Sequence, residues 1–168
     1  MRTRARAAVG SALFFALAPG LVAGVVPWLL TGWHVHHWWV PARVVGAALI
    51  LAGIPILVHA FVRFVVEGLG TPAPVAPPEH LVVGGLYRYV RNPMYVAVAA
   101  TIIGQALLLG QRALFAWAAA FALAVWSFVR YCEEPILHRR FGAEYDEYRR
   151  TVPAWWPRLK RRATRGAS

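Results

Sequence analysis

Val44 to Val66 reads VVGAALILAGIPILVHAFVRFVV, and this stretch decides the class of the protein. It is almost wholly apolar and about as long as the ~20 residues that cross a bilayer. Three further runs resemble it: Ala7 to Leu30, Met94 to Leu109 and Ala113 to Tyr131. A segment in lipid must satisfy its own backbone hydrogen bonds, so all four are expected to be helices. The composition agrees. The 168 residues are 59% hydrophobic yet carry a formal net charge of +11. One water-soluble globule accommodates that combination poorly, because soluble domains are about 45–50% apolar. Lipid for the apolar runs and water for the basic flanks accommodates it well. The same argument excludes nucleic-acid binding as the source of the basic charge. The expected fold is therefore all-α: a single membrane domain of about four transmembrane helices over 7–30, 44–66, 94–109 and 113–131.

The basic residues set the orientation. Of 18 Lys and Arg, only Arg43 and Arg112 fall in the first and third loops. The others include Arg2, Arg4, Arg6, Arg88, Arg91, Arg130 and the run from Arg139 to Arg165. The excess of positive charge marks the cytoplasmic side, which places both termini and the loop 67–92 there. Trp28, Trp33, Trp38 and Trp39 gather at the opposite, outer loop as an interfacial belt. The opening MRTRAR and its apolar run resemble a signal peptide, but the run is long for one, which favours a retained helix. His34, His36 and His37 lie in the outer loop without an acidic or cysteine neighbour, so no metal site is expected. Cys132 is the lone cysteine, so no intrachain disulfide can form.

Gly110-Gln111-Arg112 is too short for anything but a tight hairpin between the third and fourth runs. The loop 67–92 is longer and holds Gly68, Gly70, Pro72, Pro74, Pro77, Pro78, Gly84 and Gly85, which rule out regular helix in its first part. After the fourth run, Pro135 predicts a break near Glu134 and the start of a new helix. That helix carries Leu137, Phe141, Tyr145 and Tyr148 on one face, and Arg139, Arg140, Asp146, Glu147, Arg149 and Arg150 on the other, the pattern of an interfacial amphipathic tail over 135–168. Trp155 and Trp156, between Pro153 and Pro157, read as a surface anchor, and Lys160 to Arg165 as a polybasic end attracted to anionic lipid.

No P-loop, glycine-rich dinucleotide fingerprint or spaced cysteine pair is present, and no strand–helix alternation suggests a soluble nucleotide fold. Chemistry must come from side chains at helix ends. The strongest constellation is Gly85-Leu86-Tyr87-Arg88-Tyr89-Val90-Arg91-Asn92-Pro93-Met94-Tyr95, then Glu133-Glu134, then Phe141-Gly142-Ala143-Glu144-Tyr145 and Tyr148. The hairpin makes Arg91 and the Glu133-Glu134 pair neighbours. One reading is an Arg–Glu ion pair that locks the hairpin, with Arg130 pairing Glu134 at i,i+4. The other is a grip on a zwitterionic ligand: arginine for a carboxylate, carboxylates for hydroxyls, tyrosine faces for a cation.

These motifs, in this order, resemble the isoprenylcysteine carboxyl methyltransferase and phospholipid methyltransferase families, over about residues 72–157. The resemblance implies methyl transfer from S-adenosylmethionine at the cytoplasmic face to a lipidic or small carboxylate, thiol or amine acceptor that enters from the bilayer. It implies cofactor contacts at Tyr87, Arg91, Asn92, Pro93, Tyr95, Glu133 and Glu134, with Arg91, Glu133 and Glu134 nearest the chemistry. Asn92 stands where the family's run has histidine. A sterol-type membrane reductase using a nicotinamide cofactor shares a related architecture and stays open, as does a non-enzymatic membrane protein. In the second run His59, Arg63 and Glu67 form one stripe at i, i+4 and i+8. Ionisable groups within a span are functional by default, so His59 and Arg63 are candidates for a substrate tunnel. Gln105 in the third run is either a third tunnel residue or an interhelical hydrogen bond.

Overall fold

A computed structural model describes residues 17–68 and 80–158. The MRTRAR segment, the start of the first apolar run, the proline-rich part of the loop after α2 (69–79), the Glu67 side chain and the Lys160–Arg165 end lie outside what is described. The described residues are helical, with no strand among them. In chain order they form α1 (Leu17–Thr31), α2 (Val40–Gly68), a short 3-10 turn (Gly85–Arg88), α3 (Pro93–Leu109), α4 (Arg112–Phe141) and α5 (Ala143–Thr151). Two segments are long and apolar enough to cross a membrane, Val40–Phe64 and Arg112–Phe141, while α1 and α3 are shorter apolar helices. Leu51 on α2 is 75% exposed and Leu123 on α4 is 65% exposed. Water would penalise such faces, whereas lipid tails solvate them.

Small residues bring α2 and α3 together. A Cβ at Gly46 would lie 2.6 Å from the Gly104 carbonyl oxygen, and one at Gly104 would lie 2.8 Å from the Gly46 oxygen. Seven residues along, a Cβ at Gly53 would lie 2.6 Å from Thr101 Oγ1 and 3.2 Å from the Ala97 oxygen. The two backbones therefore touch along Gly46 and Gly53 on one side and Ala97, Thr101 and Gly104 on the other. Between lipid-solvated helices, such close approach supplies the dispersion contacts that water would otherwise enforce. Leu57, Ala97, Val98, Ile102 and Ala118 continue this seam as the main buried cluster.

Each of two helices absorbs a proline through a π-turn. In α1 the turn is Leu21–Val25: the Val26 N–H reaches back to Leu21 O, and Pro27 two residues beyond the turn has no N–H to give. The carbonyls of Val22 and Ala23 thus lose their usual backbone donors. Trp117 Nε1 donates to Val22 O at 2.9 Å, and Gln105 Nε2 donates to Ala23 O at 2.6 Å. These two bonds pin α1 to α4 and α3. Of the two roles open to Gln105, the interhelical hydrogen bond is the one observed.

The same device recurs in α4 and corrects the expected break at Glu134. The π-turn Val129–Glu133 lets Glu134 N–H bond Val129 O, Glu134 keeps helical angles, and the helix runs through Pro135 to Phe141. The break falls instead at Gly142, whose φ of +52° and ψ of −124° suit glycine alone. The expected single tail helix is therefore the last turns of α4 followed by the separate helix α5.

At the other end, Gly110 closes α3 with φ +70°, and α4 begins two residues later. Trp38 Nε1 donates to Leu107 O, His36 N–H to Leu109 O and Gln111 Nε2 to His34 O, which ties the loop between α1 and α2 to this hairpin turn.

Gly46→Ala and Gly104→Ala are each expected to destabilise the protein by about 1–3 kcal/mol, because backbone atoms block the added methyl. Gly20→Ala, with nothing within 4 Å of its Cβ position, is expected to be neutral or mildly stabilising. Unfolding in detergent titrated with a denaturing surfactant checks all three. Gln105→Leu in the same assay is expected to cost about 1 kcal/mol through the orphaned Ala23 carbonyl.

Candidate functional site

The site begins in the loop before α3. Gly84 is extended and Gly85 has φ +54°, which starts the 3-10 turn Gly85–Arg88. The turn buries Tyr87, whose hydroxyl donates to Ala60 O on α2 at 3.4 Å and whose ring lies 6.5 Å from that of Phe64. A Cβ at Gly85 would lie 3.0 Å from His59 Nε2 and 3.3 Å from Arg63 Cγ and Nε. His59 and Arg63 on α2 thus face the loop that carries the motif. Pro93 follows as the first residue of α3, where its missing N–H is harmless.

A strap from the C-terminal side fixes this loop from behind. Arg91 N–H donates to Pro153 O at 2.9 Å, and Asn92 donates to Ala154 O through both its backbone N–H (3.3 Å) and its side-chain Nδ2 (3.2 Å). Arg158 N–H donates to Tyr89 O, and the Tyr148 hydroxyl to Tyr87 O at 2.7 Å. Asn92 therefore holds chain to chain, a task for which its amide N–H suffices without an imidazole.

With its backbone held on both sides, Arg91 aims its guanidinium at α4 and α5. Nη1 donates to Glu134 Oε1 at 2.9 Å and to the Tyr145 hydroxyl at 3.1 Å. Tyr95, one turn into α3, donates its hydroxyl to Glu133 Oε2 at 3.3 Å. In an ordinary helix, adjacent residues point about 100° apart. Glu133 closes the π-turn and Glu134 follows it, and the two carboxylates point apart: Glu133 meets Tyr95 while Glu134 meets Arg91. Glu134 is 7% exposed and also takes Arg130 Nη1 at 3.3 Å and Arg149 Nη2 at 3.5 Å on its second oxygen. Arg91 Nε is buried and has no partner among the described residues. Burial pushes the Tyr145 and Tyr148 hydroxyls up, against a lowering pull from Arg91, so both stay neutral. Tyr145 accepts from Arg91 and keeps its own proton to donate.

The structure thus gathers Arg91, Glu133, Glu134 and Tyr95 at one place, with Asn92, Pro93 and Tyr87 shaping the loop that leads there. His59 and Arg63 stand at the start of that loop. Gln105 does not join them: it lies ten residues beyond Tyr95 on α3, about 15 Å along the helix. Tyr145, already part of the sequence constellation, reaches Arg91, while Arg149, which the sequence presents only on the polar face of a tail helix, lies at the exposed edge of Glu134. Their signal was the register of Tyr145 and Tyr148 with Phe141, which places one face of α5 against the loop. The strap was announced by nothing beyond Pro153 and Pro157.

Comparison with known proteins bears on exactly this region of the chain in two ways. The family model described as phospholipid methyltransferase matches residues 41–144, from the start of α2 to the start of α5. The protein-S-isoprenylcysteine O-methyltransferase of Schizosaccharomyces pombe (strain 972 / ATCC 24843) is 38% identical over 83 residues, which is 47% of this chain and 34% of that protein. The matched part thus spans about a third of that relative's length. No solved structure matches. With more than half its residues matched by the family model, the chain belongs to the phospholipid methyltransferase family.

Proposed function

We propose that this protein is an S-adenosylmethionine-dependent methyltransferase of the membrane, acting at the cytoplasmic face on a lipidic or small carboxylate, thiol or amine acceptor. Four spans, with α1 and α3 completing the two longer helices, and both termini in the cytoplasm fit the charge asymmetry of the loops. The observation that carries the reading is the convergence of Arg91, Tyr95, Glu133, Glu134 and Tyr145 from four segments of chain.

The residues suit the cofactor. Arg91 has a buried Nε–H without an acceptor, and buried donors are almost always paired in a complete site. A ligand carboxylate would complete it, with the neutral Tyr145 hydroxyl as a second donor. Glu133 and Glu134 offer acceptors for ribose hydroxyls, and the Tyr95 ring lies beside them. When bound, S-adenosylmethionine supplies a methyl group already activated by a cationic sulfur. The protein's part is then mainly to orient the reactants, which is worth roughly 7–11 kcal/mol when the geometry is good. A carboxylate or thiolate acceptor needs no base. A protonated amine does, and Glu133, held by Tyr95 on one oxygen only, is positioned to receive that proton.

Equilibrium binding of S-adenosylhomocysteine to detergent-purified protein tests the reading. Binding is expected in the wild type, with roughly 10–100-fold weakening in Arg91→Ala, the loss of a charged hydrogen-bond pair. Glu133→Gln and Tyr95→Phe are expected to weaken it while leaving the thermal unfolding midpoint nearly unchanged. Binding of NADPH in place of S-adenosylhomocysteine would reject the reading.

The raised phenols give a pH test. Tyr145 should stay protonated between about pH 6 and 9, below even an unperturbed phenol at about 10. Tyr145→Phe is therefore expected to weaken S-adenosylhomocysteine binding by the same factor at both ends of that range.

A further inference from the structure

Three guanidinium groups meet at Glu134, and one carboxylate neutralises only one of them. Arg91 takes Oε1 at 2.9 Å and is buried. Arg130, from α4, and Arg149, from α5, share Oε2 at 3.3 and 3.5 Å, with side chains 54% and 44% exposed. Charge-assisted bonds sit nearer 2.7–2.9 Å, so these two contacts are loose. Three other nearby acids are engaged. Glu133 takes the Tyr95 hydroxyl, Asp146 is bonded to His138 and Glu147 to Arg150. Two exposed forks from different helices thus converge on one oxygen with donors to spare. Arginine forks match the oxygens of a phosphate or carboxylate.

The surroundings point to a group borne by lipid. Trp126 and Tyr131 flank Arg130 on α4, 46% and 70% exposed, with their rings edge to face at 6.2 Å. Amphipathic aromatic rings of this kind settle at the headgroup level. Arg130 therefore leaves the apolar part of α4 where headgroups lie.

We propose that Arg130 and Arg149 form an anion subsite, distinct from the cofactor contacts of Arg91, that takes the phosphate or carboxylate of the bilayer-borne methyl acceptor. This rests on the methyltransferase reading only for what the bound lipid is used for. Arg130 and Arg149 are then specificity residues. They hold the acceptor's charged group at the edge of the Glu133–Glu134 site and favour an anionic acceptor over a neutral one.

Calorimetric titration of the full chain in neutral maltoside micelles tests the subsite, with dodecyl phosphate as the probe. The variants are the double Arg130→Gln/Arg149→Gln, the double Arg130→Lys/Arg149→Lys, and Arg139→Gln/Arg140→Gln, which removes equal charge elsewhere on α4. Dodecyl phosphate is expected to bind the wild type and the Arg139/Arg140 variant alike. Its affinity is expected to fall by about tenfold or more in the Arg130/Arg149 glutamine variant and by less in the lysine variant. S-adenosylhomocysteine affinity, read on the same samples, is expected to be unchanged, which also shows that the variants are folded. Equal loss in the Arg139/Arg140 variant would reduce the effect to general charge and overturn the proposal. So would loss of S-adenosylhomocysteine with dodecyl phosphate unaffected, which would make the pair part of the cofactor site. Inorganic phosphate binding as tightly as dodecyl phosphate would overturn the lipid source. A wild type that binds dodecyl phosphate but not S-adenosylhomocysteine would remove the methyltransferase reading and leave the lipid-anion subsite standing.

Discussion

The ion pair between Arg91 and Glu134 organises this end of the protein, because it is where the loop before α3 meets α4 and, through Tyr145, α5. Glu134 is 7% exposed and the Arg91 side chain 11%, with their atoms 2.9 Å apart. Removing one partner of such a buried pair typically costs about 3–5 kcal/mol, mainly because the survivor is left charged and desolvated. Replacing both by apolar residues would often be tolerated as well or better. Retaining the pair is therefore no argument about stability. It holds a loop, two helices and a strap in one register. The pair forms only if α3 and α4 return together from the short Gly110 hairpin, if α4 passes through Pro135 unbroken, and if the strap holds Arg91 by its backbone.

The two π-turns show one way a helix meets a proline; Pro55 sits inside α2 without such a turn. In both, the proline stands two residues beyond the turn, and the residue before it donates five residues back. In α1 the freed carbonyls lie against other helices and are capped by Trp117 and Gln105. In α4 the turn lies at the end of the apolar run and carries the chain into the two adjacent carboxylates, which meet different partners. One local solution thus serves assembly in one helix and the site in the other.

Much of this was legible in the residues. Apolar runs suffice for the helices, though not for the end of α4, and the shortness of Gly110-Gln111-Arg112 suffices to bring Arg91 near the two acids. The Arg130–Glu134 contact follows from i,i+4 spacing. The break at Pro135 was misread because proline's effect on its neighbour is a local preference, and a π-turn upstream relieves the clash that the preference encodes. The Gly46–Gly104 contact escaped because glycines in an apolar run carry no periodic signal until a partner helix is known. The strap escaped for a related reason: its bonds are backbone to backbone, or run from Asn92 and Tyr148 to main-chain oxygens, so no pairing of side chains marks it.

Where the family match ends gives the strap its meaning. The matched segment stops at residue 144, yet Tyr145 bonds Arg91 and residues 153–158 clamp the loop on which Arg91 stands. The matched helices supply the guanidinium and the carboxylates; the segment after Gly142 decides how they are presented. Gly142, with a backbone conformation closed to other residues, is the point where α5 turns back over the loop. A chain that kept every residue of the matched segment but lost that turn would keep Arg91 and Glu134 in sequence while losing the Tyr145, Pro153 and Ala154 contacts that aim them. The proposed site thus depends on a contact between two segments far apart in sequence, and α3 and α4 serve to bring them together.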